Sequence, residues 1–410
     1  MIRITLSLLF LTLFACGESS TTTERDASAI TLRNATDIER KDEVVLIPRS
    51  SFLAHDDSTG EVPLLKTSDG KTPPQQHDDL DGDGRWDEAA VLLSFQPSEK
   101  VTLDYTYTNE SDLPSFENRT FARLGVLDGD TYKNVDRHTR PSSHKAHDPL
   151  YHVEGVSWEN DLIGFRNYFD ERNGKDIFGK RVPNVVLDTV DLGSAYHDLG
   201  DWGMDILKVG NSLGAGALGA IVDGKLIRLG PTKTATYELV KNGPIRSIFD
   251  LKYTDWDVAG KVVDLTERIT ITAGNHYYKS TVTVDGYGSA FPLITGIVNL
   301  QSERAYSLGG NNMSGFGTWD NQSYIEDGLG MAILYPGDAL DSFKSSPEEG
   351  EGITQTFYQE FAIEPEDSFT FYFVAGWETA DDQFGTQEGF DSVVSHYLTK
   401  LGSPIEVKTK

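Results

Sequence analysis

Strict two-residue alternation is what most limits how this chain can fold. The segments ITLRNAT, DEVVLIP, AAVLLSF, KVTLDYTYT, KLIRLG, SIFDLKYT, TERITITA, YYKSTVTVDG, GMAILYP and SFTFYFVAGW place apolar and polar side chains by turns, and turn residues separate them. In an extended chain successive side chains point to opposite faces, so each segment makes a strand with one face for a core. Helical spacing is scarce, and SVVSHYLTKL near the C-terminus is its clearest instance. The expected class is therefore all-β, built as sandwiches. A chain of 410 residues exceeds one small core. The polar stretch NESDLPS, residues 109–115, interrupts the strands, which suggests a smaller N-terminal β-sandwich module over 29–112 and a larger domain over 113–410.

The N-terminus, MIRITLSLLFLTLFAC, has one basic residue, a short apolar run and a cysteine after a small residue, which reads as a signal peptide over 1–15. Leu13-Phe14-Ala15-Cys16 has the form of a bacterial lipobox, with Phe14 bulkier than usual. Cys16 is the only cysteine and sits where an acyl anchor attaches, so lipidation at Cys16 is expected, followed by a polar tether over 16–28. The expected setting is the cell envelope, facing the periplasm or the cell surface, with membrane contact through the anchor alone. With no second cysteine there is neither a disulfide nor a thiol catalyst in the mature domain. A formal charge of −28, from 64 acidic against 36 basic side chains, opposes nucleic acid as a partner.

Gly214, Gly216 and Gly219 have the G-x-G-x-x-G spacing of a dinucleotide turn. The chain continues as AIVDGKLIRLG, two short strands around Asp-Gly, and the helix that would face a pyrophosphate is missing. No nucleotide cofactor is expected; the glycines let backbone pass close to backbone or to a ligand.

Several clusters carry chemistry. In DLDGDGRWDE, Asp79, Asp81, Asp83 and Asp87 supply oxygen ligands for a hard cation, and Gly84 permits the sharp turn. The twelfth position of an EF-hand would be Ala90, so this is a shorter loop, suited to a structural Ca²⁺. Of the histidines in DRHTRPSSHKAHDPLYH, His138, His144 and His147 read as part of a polar surface loop, whereas His152 precedes a strand and is kept as a candidate. GFRNYFDERNGKDIFGKR is locally basic, and its arginines can fork onto carboxylates or sulfates, or close a salt-bridged hairpin. AYHDLGDWGMDILKVG gathers His197, Trp202, Asp205 and Lys208; in a continued strand Asp205 and Lys208 would face opposite ways. GNHYYKS adds His276, Tyr277, Tyr278 and Lys279, with one tyrosine expected in the core.

Taken in order, DLDGDGRWDE, GFRNYFDERNGKDIFGKR, YHDLGDWGMDILKVGNSLGAG, GPIRSIFDLKY and AGNHYYKS resemble a bacterial family long catalogued as a domain of unknown function, over nearly all of the mature chain. Its members lie among genes for uronic-acid polysaccharide breakdown, and this chain most resembles its ulvan-oligosaccharide dehydratases. The resemblance implies removal of water from a non-reducing-end glucuronate or iduronate, leaving a 4,5-unsaturated uronate, with an anionic oligosaccharide as substrate. By analogy with other polysaccharide-eliminating enzymes, it also implies a mutarotase-like β-supersandwich behind the smaller module. Abstracting a proton α to a carboxylate needs cations on that carboxylate, a base, and an acid for the departing hydroxyl. On that chemistry Arg166 and Lys208, supported by Arg172, bind the carboxylate or a sulfate; His197 is the base; Tyr168, Tyr278 or His152 is the acid; Trp202 stacks on the sugar. The alternatives are a polysaccharide lyase, which shortens its substrate, and a non-catalytic glycan-binding lipoprotein. A glycosidase would need paired carboxylates, and none stands out as a pair in the sequence.

Overall fold

The computed structural model describes residues 28–53, 60–190, 196–337 and 342–409. The signal peptide, Cys16 and nearly all of the tether lie outside them.

All the alternating segments form strands, and every sheet pairing between neighbouring strands is antiparallel. The first module packs a four-stranded sheet on a three-stranded one. Ile30, Leu32 and Leu103 from one, and Val45, Ile47, Ala89 and Val91 from the other, meet in a core of their own. The module is not drawn from one end of the chain alone. The strand Glu406–Thr409 returns to pair with Ser28–Arg33, so the last residues of the expected 113–410 domain complete the first sheet.

The large domain is a sandwich. A nine-stranded sheet faces a six-stranded and a five-stranded sheet across one core that takes Phe249 and Ile269 from the first, Trp158 and Phe165 from the second, and Leu293 and Ile297 from the third. The smaller two sheets are joined by a bridge between Lys175 and Gly214. Lys175 points inward, where its Nζ lies 2.8 and 3.0 Å from the Glu267 carboxylate. Burial lowers the pKa of this ammonium, and the carboxylate opposes that effect. The helix Gln387–Gly402, which contains SVVSHYLTKL, lays Phe390, Val394, Tyr397 and Leu398 against the outer face of the nine-stranded sheet. Its N-cap is Thr386, whose hydroxyl accepts from Gly389 N–H.

The glycines of the G-x-G-x-x-G run lie at and in the strand Ala215–Val222. Gly214 (φ +63°) passes so close to the Lys175 carbonyl that a Cβ would lie 2.0 Å from it. A Cβ on Gly216 (φ +85°) would meet the Tyr278 hydroxyl at 2.6 Å. Close approach and left-handed backbone therefore account for both.

Candidate active site

The site is built on the outer face of the six-stranded sheet, and strand parity explains its membership. Arg166 lies on Ile163–Tyr168 directly opposite Asp176 on Lys175–Lys180, and Phe178 lies opposite Asp205 on Gly203–Asp205. Arg166 and Tyr168 share a face, as do Asp176 and Phe178, so Arg166, Tyr168, Asp176, Phe178 and Asp205 all project away from the core. Phe165 and Ile177, one residue out of step, point into it.

Arg166 is 0% exposed. One of its terminal nitrogens bonds Asp176 Oδ2 at 2.5 Å, Asp205 Oδ2 at 2.7 Å and the Tyr168 hydroxyl at 2.8 Å; the other donates to Val153 O and the Tyr196 hydroxyl. Tyr168 in turn donates to Asp176 Oδ2 at 2.6 Å. Its ring lies between two guanidiniums, with the Arg166 carbon 4.4 Å and the Arg172 carbon 4.0 Å from its centroid. Burial pushes the Tyr168 phenol well above its ordinary pKa, so it rests as a neutral donor. Two carboxylates share one buried cation. Burial, and then the neighbouring Asp176, raise the Asp205 carboxyl well above the usual carboxylate range.

Asp205 connects this buried cluster to solvent. His197 Nδ1 lies 3.5 Å from Asp205 Oδ2, and the His197 side chain is 49% exposed. The imidazole packs on Tyr196 and stacks on the exposed Tyr324 at 5.6 Å and 24°. Lys208 Nζ lies 5.1 Å from the Tyr324 ring centre. On the other side, the Glu154 carboxylate accepts from Arg172 at 2.7 Å and lies 3.3 Å from His147 Nδ1. The backbone is strained here: Val153 and Glu154 have φ of +47° and +60°, inside a register shift of the strand Tyr151–Asn160. For a β-branched valine that conformation is an outlier. It turns the Val153 carbonyl toward Arg166.

Arg166, Tyr168, Arg172, His197 and Lys208 thus come together, though not all in the expected roles. Arg166 cannot grip a substrate carboxylate, because it is enclosed and already holds two protein carboxylates; it positions Asp205 and Tyr168 instead. Tyr278 is removed from the site by parity: its ring is in the core and its hydroxyl donates to Ala215 O at 2.7 Å. His152 is sequestered. Arg123 can only donate, so His152 Nδ1 accepts at 2.6 Å and Nε2–H donates to Val190 O at 2.6 Å. Burial, then Arg123, lowers its pKa to about 4. Trp202 gives one side to Phe178 within a small apolar cluster with Leu187 and Val190, and the exposed ring at the rim is Tyr324. Of the acidic loop, Asp79, Asp81 and Asp87 bring carboxylate oxygens within 4.8 Å of one another, close enough for one hard cation. Asp83 turns away to Arg85 at 2.6 Å.

Asp176, Tyr196, Glu154 and Tyr324 are the members that the sequence did not assign, and Asp205, grouped there with His197, was given no role. Asp176 and Asp205 are also the carboxylate pair not evident there. They do not suit a glycosidase, which needs two carboxyl groups facing each other across room for a glycosidic bond. Here a guanidinium fills that space.

A protein of Formosa agariphila named "Uncharacterized protein P7" is 24% identical over 408 residues, covering 92% of each chain. Two solved structures from Enterococcus faecalis, an alpha-mannosidase and a protein of glycosyl hydrolase family 38, align with TM-scores of 0.48 and 0.49 at 10% identity. They cover 94% and 95% of this chain, which spans about half of theirs (46% and 48%). The family described as Domain of unknown function (DUF4861) matches residues 32–407, and the chain belongs to it.

Proposed function

We propose that this protein is a carbohydrate dehydratase that eliminates water from the non-reducing-end uronate of an ulvan-type oligosaccharide. The observation that carries the reading is a half-exposed imidazole, His197, backed by a buried carboxyl, Asp205, and flanked by an exposed ammonium, Lys208. Lys208 binds the sugar carboxylate, which makes the C5 proton more acidic, while Arg172, held by Asp170 and Glu154 at the opposite edge, supports the site against the Tyr168 ring. His197 takes that proton through Nε2, while Asp205 supports the imidazolium at Nδ1. The C5–H electron pair becomes the C4=C5 double bond and the C4–O bond breaks. Tyr168 gives its proton to the departing hydroxyl, so that water leaves. The phenolate formed for that moment lies between Arg166 and Arg172. The proton on His197 then returns to Tyr168 through solvent.

The test is incubation with saturated uronate-terminated oligosaccharides, followed by mass spectrometry. Loss of one water with chain length unchanged is the expected result. A shortened product identifies a polysaccharide lyase, and binding without turnover identifies a glycan-binding protein; either outcome rejects the dehydratase. Lys208→Met is expected to raise KM about tenfold with a smaller change in kcat, because a charge-assisted hydrogen bond to substrate contributes about 1.5–3 kcal/mol. An unchanged KM removes Lys208 from the binding role.

We also propose that Asp79, Asp81 and Asp87 hold a structural calcium ion. Calcium added to chelator-treated protein is expected to raise Tm, since free ligand at about 100-fold over Kd stabilises by about 2.7 kcal/mol. Asp79→Asn should abolish that response. Equal responses in the two proteins would rule the site out.

A further inference from the structure

A cleft lies on the opposite side of the sandwich, where the first module meets the outer face of the nine-stranded sheet. Parity again sets its lining. Tyr277 and Lys279 face outward from Tyr277–Asp285 while Tyr278 and Ser280 face the core, and Lys279 pairs across to Thr270 and Tyr372. The cavity between the modules is about 550 Å³. Four cations line it: Arg246, Arg268, Lys279 and Lys400. A second cavity of about 420 Å³ continues from it past Leu80 and Arg268 toward the acidic loop.

Three of the four cations are neutralised by protein groups. Arg246 is held by Asp78 and Glu88, Arg268 by Asp250 at 2.7 Å, and Lys400 by Glu43 at 2.9 Å. Lys279 is not: among the described residues no carboxylate lies within ion-pair distance of it. The charges that act on it are Arg246, Glu88 and Arg268, and Glu88 is already held by Arg246 at 2.8 Å. A partly buried ammonium beside two guanidiniums, with the one nearby carboxylate committed to Arg246, leaves a cationic group without its own counter-ion, which favours an entering anion locally against the chain's overall charge of −28. Burial, and then Arg246, accordingly lowers the Lys279 pKa, and a bound anion would raise it. Tyr277 and Tyr372 supply aromatic edges, and Thr270, Thr272 and Asn275 supply neutral hydrogen-bonding groups, so the cleft suits a hydroxylated ligand as well as a charged one.

We propose that this cleft binds an oxyanion, sulfate or carboxylate, carried on a saccharide, with Lys279 as the principal contact. The saccharide part of the assignment rests on the function proposed above; the oxyanion part does not. The site is separated from His197 by the whole thickness of the sandwich, so it holds a second portion of substrate or a second chain and takes no part in the elimination.

Calorimetric titration of the full mature protein with inorganic sulfate, a sulfated uronate oligosaccharide, an unsulfated uronate oligosaccharide and a neutral oligosaccharide tests the proposal. The expected result is binding of sulfate and at least one uronate probe at a site that Lys279→Met weakens at least tenfold. The sulfated and unsulfated arms distinguish the two oxyanions. Binding by Lys279→Met within twofold of the parent, or equal binding of the neutral probe, overturns it. Binding of sulfate with no uronate probe bound overturns the saccharide assignment. If Lys279→Met does not fold, the unaltered protein with ¹³C-dimethylated lysines gives the same answer: the Lys279 signal, assigned with Lys279→Arg, must move saturably with sulfate, and a stationary signal overturns the proposal. Binding at Lys279 without dehydration of any uronate rejects the function proposed for the first site and leaves this one standing.

Discussion

His197→Ala is expected to lower kcat for formation of the unsaturated uronate by about three orders of magnitude and to leave Tm almost unchanged. The size follows from the role, since a positioned general base contributes about 10²–10⁴-fold. The small stability effect follows from the position. The ring is half exposed, and its contacts are the Asp205 carboxyl at 3.5 Å and two neighbouring aromatic rings. Removing it opens no internal cavity, and surface changes of this kind usually stay within about 0.5 kcal/mol. Absorbance of the new double bond gives the rate and calorimetry gives Tm. Full production of unsaturated ends by the variant would eliminate His197 as the base, and a large fall in Tm would show that its role is structural.

The fold was legible because alternation is a local property. Each period-two segment became a strand, and the one helical pattern became the helix Gln387–Gly402. The site was legible only where local rules reach. GFRNYFDERNGKDIFGKR advertised its arginines, but it also contained the carboxylates that neutralise them: Asp176 closes on Arg166 and Asp170 on Arg172. Which partner an arginine takes depends on strand register. Asp205 reaches Arg166 from 39 residues away through two intervening strand pairings, and no local pattern reports that. The parity argument that set Asp205 and Lys208 on opposite faces assumed a continuing strand. The strand stops at Asp205, and beyond it Lys208 turns outward to the same rim as His197. Tyr278 and His152 were misplaced for a related reason. Their chemistry suits catalysis, but one faces the core and the other is held between Arg123 and Val190.

Arg166→Met is expected to have the largest effect on stability, a loss of about 3–5 kcal/mol near neutral pH, because it strands Asp176 and Asp205 together in a buried place without their cation. The loss should depend on pH with a definite sign. Burial and Asp176 already raise the Asp205 pKa in the folded protein, and without the guanidinium the Asp205 carboxyl rises further. A carboxyl whose folded pKa exceeds its unfolded value of about 3.9 binds more protons when folded, so stability falls as pH climbs from there through the folded pKa. The deficit relative to the parent should therefore be small near pH 4 and should grow toward pH 8, as measured by urea unfolding at each pH. A deficit that does not vary with pH would mean that the lost guanidinium mattered for packing and not for charge. Adding Asp176→Asn and Asp205→Asn to Arg166→Met separates structure from chemistry, since a buried ion cluster exchanged as a unit for neutral groups avoids the stranded charges. That triple variant should recover much of the stability. It should not recover activity, because the neutral amide that replaces Asp205 no longer supports an imidazolium at His197, and Tyr168 has lost the guanidinium that would stabilise its phenolate.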